Sequence, residues 1–431
     1  MEVYEMIRKL VCGWPLVVAG LMTCPPAHAQ TFAIVNAHIL SPGPVGEVAH
    51  GTIVVRDGVI IAAGANVAAP PSTRVIDAKG ARVTPGFVAV NTALGLMEVS
   101  SVDGTMDGRS RSPQISAAFD VRYGLNPEST LLPVARLGGV TRAVVMPDFD
   151  DSDKQRELPF AGQAAMITLD GGSNILFKPS IGMVIELGED GGARAGGSRA
   201  AEFVQLRTIF DNVRLYRTRK QAYDNAALRE LGLSRADLEA LIPVVEGRMP
   251  LIATVHRAAD IRQTLQLARD YHLKLILNGA EEGWRVAREI AGQKVPVLLN
   301  PTANIPRSFD LLGATLRNAA LLNAAGVDIA ISGNDSGHAV RDMRYNAGLA
   351  VSHGLPYDAA IRAITLGPSC IFGTDDHIGS IAPGKEADLV IWDGDPLEPL
   401  TQPVAIFVDG KEVPLTSRAL ELRDRYLGAS H

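Results

Sequence analysis

Leu251-Ile-Ala-Thr-Val-His256 is followed by Ile261, Leu265, Ala268 and Tyr271 at helical spacing, and then by Leu273-Lys-Leu-Ile-Leu-Asn278. A short, nearly unbroken apolar run reads as a strand buried on both faces, and apolar residues recurring with the helical period read as a helix with one apolar side. The rhythm continues: a helix is expected from about Glu281 to Gln293, then strand Val295-Pro-Val-Leu-Leu-Asn300, a helix from about Phe309 to Ala325, and strand Val327-Asp-Ile-Ala-Ile-Ser332. Strand and helix alternating in this way imply a parallel sheet covered by helices. The length of 431 residues suits an α/β fold in which one (β/α)8 barrel of ~250 residues carries an accessory unit.

The flanks read differently. Phe32-Ala-Ile-Val-Asn, Gly51-Thr-Ile-Val-Val and Gly58-Val-Ile-Ile-Ala-Ala are short strand patterns, and Asp57-Gly58 between two of them is a two-residue hairpin signal. At the far end, Ala387-Asp-Leu-Val-Ile-Trp and Val404-Ala-Ile-Phe-Val lead into Asp409-Gly410, the same turn chemistry. Sheet-like ends around a middle that is not sheet-like predict a small composite β-sandwich domain from residues 30–84 and 378–416, a barrel over 85–377 and a tail helix within 417–431. Before these, Arg8 and Lys9, the apolar run Leu10 to Leu21 and the close at Pro-Pro-Ala-His-Ala29 read as a signal peptide over 1–29. Periplasmic or secreted localisation is the corresponding expectation, with lipidation at Cys24 as the alternative. Of the three cysteines only Cys370 would remain, and it reads as a buried, small apolar residue.

With 47% hydrophobic residues, 20% charged and a net charge of −6, the chain is able to bury a large core. Its Lys and Arg are scattered, which argues against nucleic acid or anionic membrane surfaces as partners and leaves a small-molecule substrate or ligand. Homo-oligomerisation, or pairing with a paralogue, stays open.

A parallel barrel carries its chemistry at the carboxyl ends of its strands. Those positions are His256, Asn278, Asn300 and Asp335, with Thr84-Pro-Gly-Phe-Val-Ala-Val-Asn91 opening the first strand; Glu186 in Gly182-Met-Val-Ile-Glu186 is the nearest ionisable group at the fourth, either a metal-binding carboxylate or one that is Arg-paired or faces solvent. The join Val83-Thr-Pro-Gly-Phe87 resembles the amidohydrolase superfamily, especially its imidazolonepropionase-like members. The return stretch Ile378-Gly-Ser-Ile-Ala-Pro-Gly-Lys-Glu-Ala-Asp-Leu-Val390 with Asp393-Gly-Asp-Pro-Leu397 is similar to that family too. The resemblance implies a divalent metal, usually zinc, bound by histidines on the first strand. Here the two histidine positions are Asn91 and Ala93, the aspartate that precedes them in the family is matched by Ala89, and the histidine after the sixth strand is matched by Asn278. It also implies that His256 and Asp335 are metal ligands and that Asp335 takes a proton from the attacking water. An alanine methyl has no lone pair to give, and an amide is a poor zinc ligand beside imidazole.

Asn91, Asn278 and His338 are therefore candidate substrate contacts, Asp335 the candidate catalytic group, and His256 with Asp335 the remnant metal pair. Glu98, Asp103 and Asp107 are acidic residues that either rebuild a displaced site or pair with neighbours such as Arg109. Arg136, Arg142 and Arg199 either bind an anion or brace carboxylates. Two functions follow: a hydrolase of non-peptide or cyclic amide C–N bonds with a degraded metal site, or a non-catalytic barrel that binds a ligand or partners an active relative.

Overall fold

The computed structural model describes residues 31–112, 114–149, 158–334 and 337–428. The expected signal segment and Asp335 lie outside the described residues. No described helix is long and apolar enough to cross a membrane.

Two eight-stranded sheets organise the chain. The first takes β1 (Phe32–Leu40), β2 (Glu47–Arg56), β3 (Val59–Gly64), β4 (Arg74–Asp77) and β5 (Arg82–Pro85) from the amino-terminal side. The barrel sheet follows with β6 (Phe87–Thr92), β7 (Val140–Val145), β8 (Phe160–Thr168), β9 (Leu176–Glu186), β10 (Leu251–Val255), β11 (Leu275–Gly279), β12 (Val297–Leu299) and β13 (Ile329–Ile331). β14 (Leu389–Trp392), β15 (Pro403–Val408) and β16 (Lys411–Val413) then return to the first sheet, in the order β16-β15-β14-β5-β1-β2-β3, with β4 also on β1. Both expected turns form: Asp57 and Gly58 have φ of 53° and 80°, Asp409 and Gly410 50° and 71°, the left-handed pair a tight hairpin requires.

This terminal sheet is one hydrogen-bonded sheet that curls. Phe32 and Phe407 stand three strands apart in its order, roughly 14 Å if flat, yet their rings stack with centroids 4.9 Å apart. The apolar side chains enclosed by the curl, Ile34, Ile39, Ile53, Val83, Leu389 and Ile391 among them, form its own core.

Pro85 closes one sheet and Phe87 opens the other. Between them Gly86 lies so close to Thr141 that a Cβ would stand 2.2 Å from its Oγ1, which is why the Pro-Gly-Phe join tolerates no side chain there. Trp392 of β14 stacks on Phe87 at 5.3 Å and donates from Nε1 to Thr84 Oγ1 at 2.9 Å.

The barrel sheet runs β13-β12-β11-β10-β9-β8-β7-β6. Neighbours are parallel except that β8 is antiparallel to both β7 and β9, a departure from an all-parallel barrel. Alternate residues face opposite sides of a strand. Val88, Val90, Val144, Ile252, Ile276, Leu298 and Ala330 share the inner cluster, whereas Phe87, Ala89, Val145, Ala253, Leu277 and Leu299 belong to the layer under the helices. Inner residues from β6 at one end of the sheet and β13 at the other meet in that cluster, so the sheet is nearly closed.

Arg142, on the inner side of β7, plugs the barrel's lower end. Its guanidinium is 1% exposed and meets Asp388 at 2.7 and 3.1 Å, Glu386 at 2.8 Å and Asp409 at 2.5 Å, while stacking over Phe177 at 4.5 Å. Burial opposes its charge, but the three carboxylates hold it well above its ordinary value. Burial and the neighbouring Asp409 and Asp388 push Glu386 up in turn, against the pull of Arg142.

Three expectations need correction. The helix expected over about 281–293 is a 3-10 turn Gly283–Val286 followed by Ala287–Gly292. The one expected from Phe309 is helical only at Asn318–Ala324 after a 3-10 turn Phe309–Leu311. Here Gly313 is captured by Glu282, which accepts from its N–H at 2.7 Å, and by Trp284, whose Nε1 donates to its carbonyl at 2.8 Å, so local side-chain bonds displace the helical ladder. Cys370 is exposed rather than buried, on the outer side of the short helix Leu366–Ile371 with Arg362 Nη2 at 4.0 Å. The tail helix forms at Arg418–Leu427, capped by Ser417.

Candidate functional site

Strand parity carries the inner face upward to Glu186, Thr254, His256, Asn278, Asn300 and Ser332, so the inner face of the barrel turns polar at its carboxyl end. His256 is held there by Glu281, whose Oε2 lies 2.5 Å from Nδ1; the histidine side chain is 28% exposed and the glutamate 4%. Gly279 makes this contact possible. It takes φ 85°, and a Cβ on it would stand 2.8 Å from His256 Nδ1 and 3.1 Å from Glu281 Oε2. Burial lowers the imidazole pKa, but the hydrogen bond and charge of Glu281, with Asp310 and Glu186 beyond, carry it above its ordinary value.

Beside this dyad, Arg194 Nη2 meets Glu186 Oε2 at 2.5 Å and its guanidinium lies 4.0 Å over the Phe149 ring. Burial raises Glu186 despite that arginine. Arg199 braces Asp260 at 3.2 Å and Asp310 at 2.5 Å. Asp310 also accepts from Glu189 N at 2.9 Å, which fixes the start of helix Glu189–Arg194. The Gly191–Arg199 stretch is thus a short helix and a Ser198-capped helix start, Ser198 Oγ accepting from Ala201 N.

Glu202 lies against Gly191 of the short helix, 1% exposed, accepting from Gly188 N at 3.3 Å with Oε1 unpartnered. Burial is the main cause that pushes its carboxyl up to about 8. An acid whose folded pKa exceeds its unfolded value binds its proton more tightly when folded, so stability falls as pH rises from about 4.5 through 8, by about 5 kcal/mol at most. Glu202→Gln is expected to leave the thermal midpoint unchanged near pH 5 and to raise it progressively towards pH 9. A difference that stayed constant across that range would contradict the assignment.

The sequence candidates fare unequally. His256 and Asn278 both reach the upper face; Asn278 Nδ2 donates to Thr254 Oγ1 at 2.9 Å. Asn91, half-buried at φ 54°, sits where the pairing of β6 with β7 slips between Ala89 and Thr92, and its amide has no partner among the described residues. Ala89 packs in the layer under the helices. His338 is exposed in the 3-10 turn Gly337–Asp342. Asp335 lies outside the described residues. Asn300 is structural: it accepts from Thr302 and Asn346 and donates to Gly333 and Asn334.

Glu98 accepts from Asn126 and Thr130 ahead of the helix Leu131–Arg136, and Asp103 pairs with Arg109 and Arg111. Arg142 and Arg199 brace carboxylates. Sequence reading missed Glu281 and Arg194. The only signal for the first was the acidic pair Glu281-Glu282 just after a strand end; Glu282 is spent on the N–H groups of Ala258 and Gly313.

The donors do not fit the metal that this barrel type implies. Ala89 and Ala93 have nothing to donate, and what the mouth offers is His256 Nε2, the amide oxygen of Asn278 and a Glu186 already ion-paired with Arg194. No three His, Cys, Asp or Glu among the described residues converge as a metal set, whereas a catalytic zinc takes three protein ligands.

Residues 237–415 match the amidohydrolase family. The chain is 24% identical over 385 residues to an amidohydrolase, tasK, of Hapsidospora irregularis, covering 79% of this chain but 37% of that protein's length. In fold it is similar to an amidohydrolase from Thermotoga maritima, with TM-score 0.78, 24% identity, and coverage of 90% of this chain and all of the other. It is also similar to molinate hydrolase, with TM-score 0.53, 18% identity, and coverage of 90% and 95%.

Proposed function

We propose that this chain, which matches the amidohydrolase family over residues 237–415 and shares the fold of an amidohydrolase from Thermotoga maritima, belongs to that superfamily and hydrolyses non-peptide or cyclic amide C–N bonds of small molecules without a tightly bound metal. The observation that carries this reading is the His256–Glu281 dyad at the carboxyl end of β10. With Glu281 accepting from Nδ1–H, the Nε2 lone pair is left to take a proton. Nε2 removes a proton from water, the water oxygen adds to the carbonyl carbon, and the C–N bond breaks as Nε2–H returns the proton to the departing nitrogen. The unpartnered Asn91 amide is the donor for the oxygen that gains charge. Arg194 and Phe149 form a wall of the same mouth.

The test is turnover of a panel of N-acyl amino acids and cyclic amides by the purified chain. Saturable hydrolysis is expected; none across the panel overturns the reading. Export to the periplasm or exterior, on the Arg8 to Ala29 pattern, completes it, as does affinity to the imidazolonepropionase-like branch.

A second reading, a barrel that binds a ligand or pairs with an active relative, is favoured by Ala89, Asn91, Ala93 and Asn278 standing at ligand positions. Here histidines restored at 91, 93 and 278 would create zinc-dependent turnover in a chain that has none.

A further inference from the structure

At the opposite end of the barrel from His256, the region where β9 to β12 begin surrounds an open cavity of about 850 Å³. Lys178, Arg248, Arg269, His272, Lys274 and Lys294 line it, and no described Asp or Glu does. In a chain of net charge −6 this is a local inversion, and a concave wall of one sign concentrates its field on whatever enters. Leu273, Pro296 and Ile371, each half-buried, add an apolar surface.

Some of these basic groups are committed. Arg248 pairs with Glu246, and Lys178 donates to the carbonyls of Phe372 and Gly373 at 3.2 and 2.8 Å. Lys274 and Lys294 have no carboxylate partner among the described residues. His272 and Lys294 follow the helices Ala258–Tyr271 and Ala287–Gly292 in the left-handed region, at φ 56° and 54°. Glycine takes that conformation without steric cost and is the usual residue beyond a helix end. At both places the chain sets a basic side chain on the same cavity instead. A basic side chain complementing each helix dipole accounts for one such group at each end, and not for a cavity lined by several of them and by no described carboxylate.

We propose that this cavity binds a small organic anion, an apolar body bearing a phosphate, carboxylate or sulfonate, at a site separate from the barrel mouth. The anionic group meets Lys274 and Lys294, and the body rests on Leu273, Pro296 and Ile371.

Calorimetric titration of the full chain with phenyl phosphate, inorganic phosphate and phenol tests it. Phenyl phosphate is expected to saturate at one per chain, more tightly than inorganic phosphate, with phenol inert and affinity falling as salt rises. Lys274→Gln combined with Lys294→Gly should weaken it about tenfold or more. The thermal midpoint should hold or rise, because glycine relieves the left-handed position. His256→Gln should leave binding intact, which separates this site from the proposed hydrolysis. No saturable binding of phenyl phosphate, binding indifferent to the lysine variants, or binding lost with His256 would each overturn the proposal.

Discussion

Arg142→Met is expected to lower the unfolding free energy by roughly 3–5 kcal/mol, the cost of orphaning buried carboxylates that had one cation between them. Asp388 is 3% exposed at its side chain and has Arg142 as its ion-pair partner, with Asp409 and Glu386 sharing the same guanidinium. Arg142→Lys should recover only part of the loss, because a single ammonium lacks the fork that reaches three carboxylates. Urea denaturation of the three proteins measures the differences. In acid the Arg142→Met deficit should shrink, since the stranded carboxyls then take protons. A methionine variant as stable as the parent at neutral pH would mean that the plug contributes nothing.

The second large effect is on chemistry. His256→Gln is expected to reduce kcat/KM by about 10²–10⁴-fold, the usual range for a positioned acid–base group. The base works unprotonated, so the rate should rise with pH through the raised pKa of His256. Glu281→Gln removes the group that raises it and leaves burial in charge, so the rising limb should move to lower pH as the maximum falls. The same linkage makes the dyad a stabiliser at pH below the ordinary histidine value, lost as pH climbs through the folded one. A pH profile unmoved in Glu281→Gln would refute the coupling.

The half of the chain after residue 249 was legible because its strands are buried on both faces and so are written as unbroken apolar runs. The segment from β7 to β9 was not. β8 is Phe160-Ala-Gly-Gln-Ala-Ala-Met-Ile-Thr, with few β-branched residues to mark a strand, and nothing local reveals its antiparallel direction. His256 and Asn278 stand out in the sequence as the ends of apolar runs, and the alternation of side chains along β10 and β11 puts both on the side of Ile252 and Ile276. Partners were the hidden part: Glu281 is 25 positions from His256 and Asp388 is 246 from Arg142, and such pairings are decided only by tertiary packing. Helix ends also misled. The segment after Phe309 has helical spacing, yet Asp310 is drawn to Arg199 and Gly313 to Glu282.

In the proposed hydrolysis, Glu281-supported His256, and no bound metal ion, activates water at the barrel mouth. Hydrolysis of the best amide substrate by protein dialysed to metal-free against a chelator is the most direct test of that step. Turnover equal to that of the undialysed protein is the result predicted here; turnover that vanishes on dialysis and returns only with added zinc or manganese would contradict it.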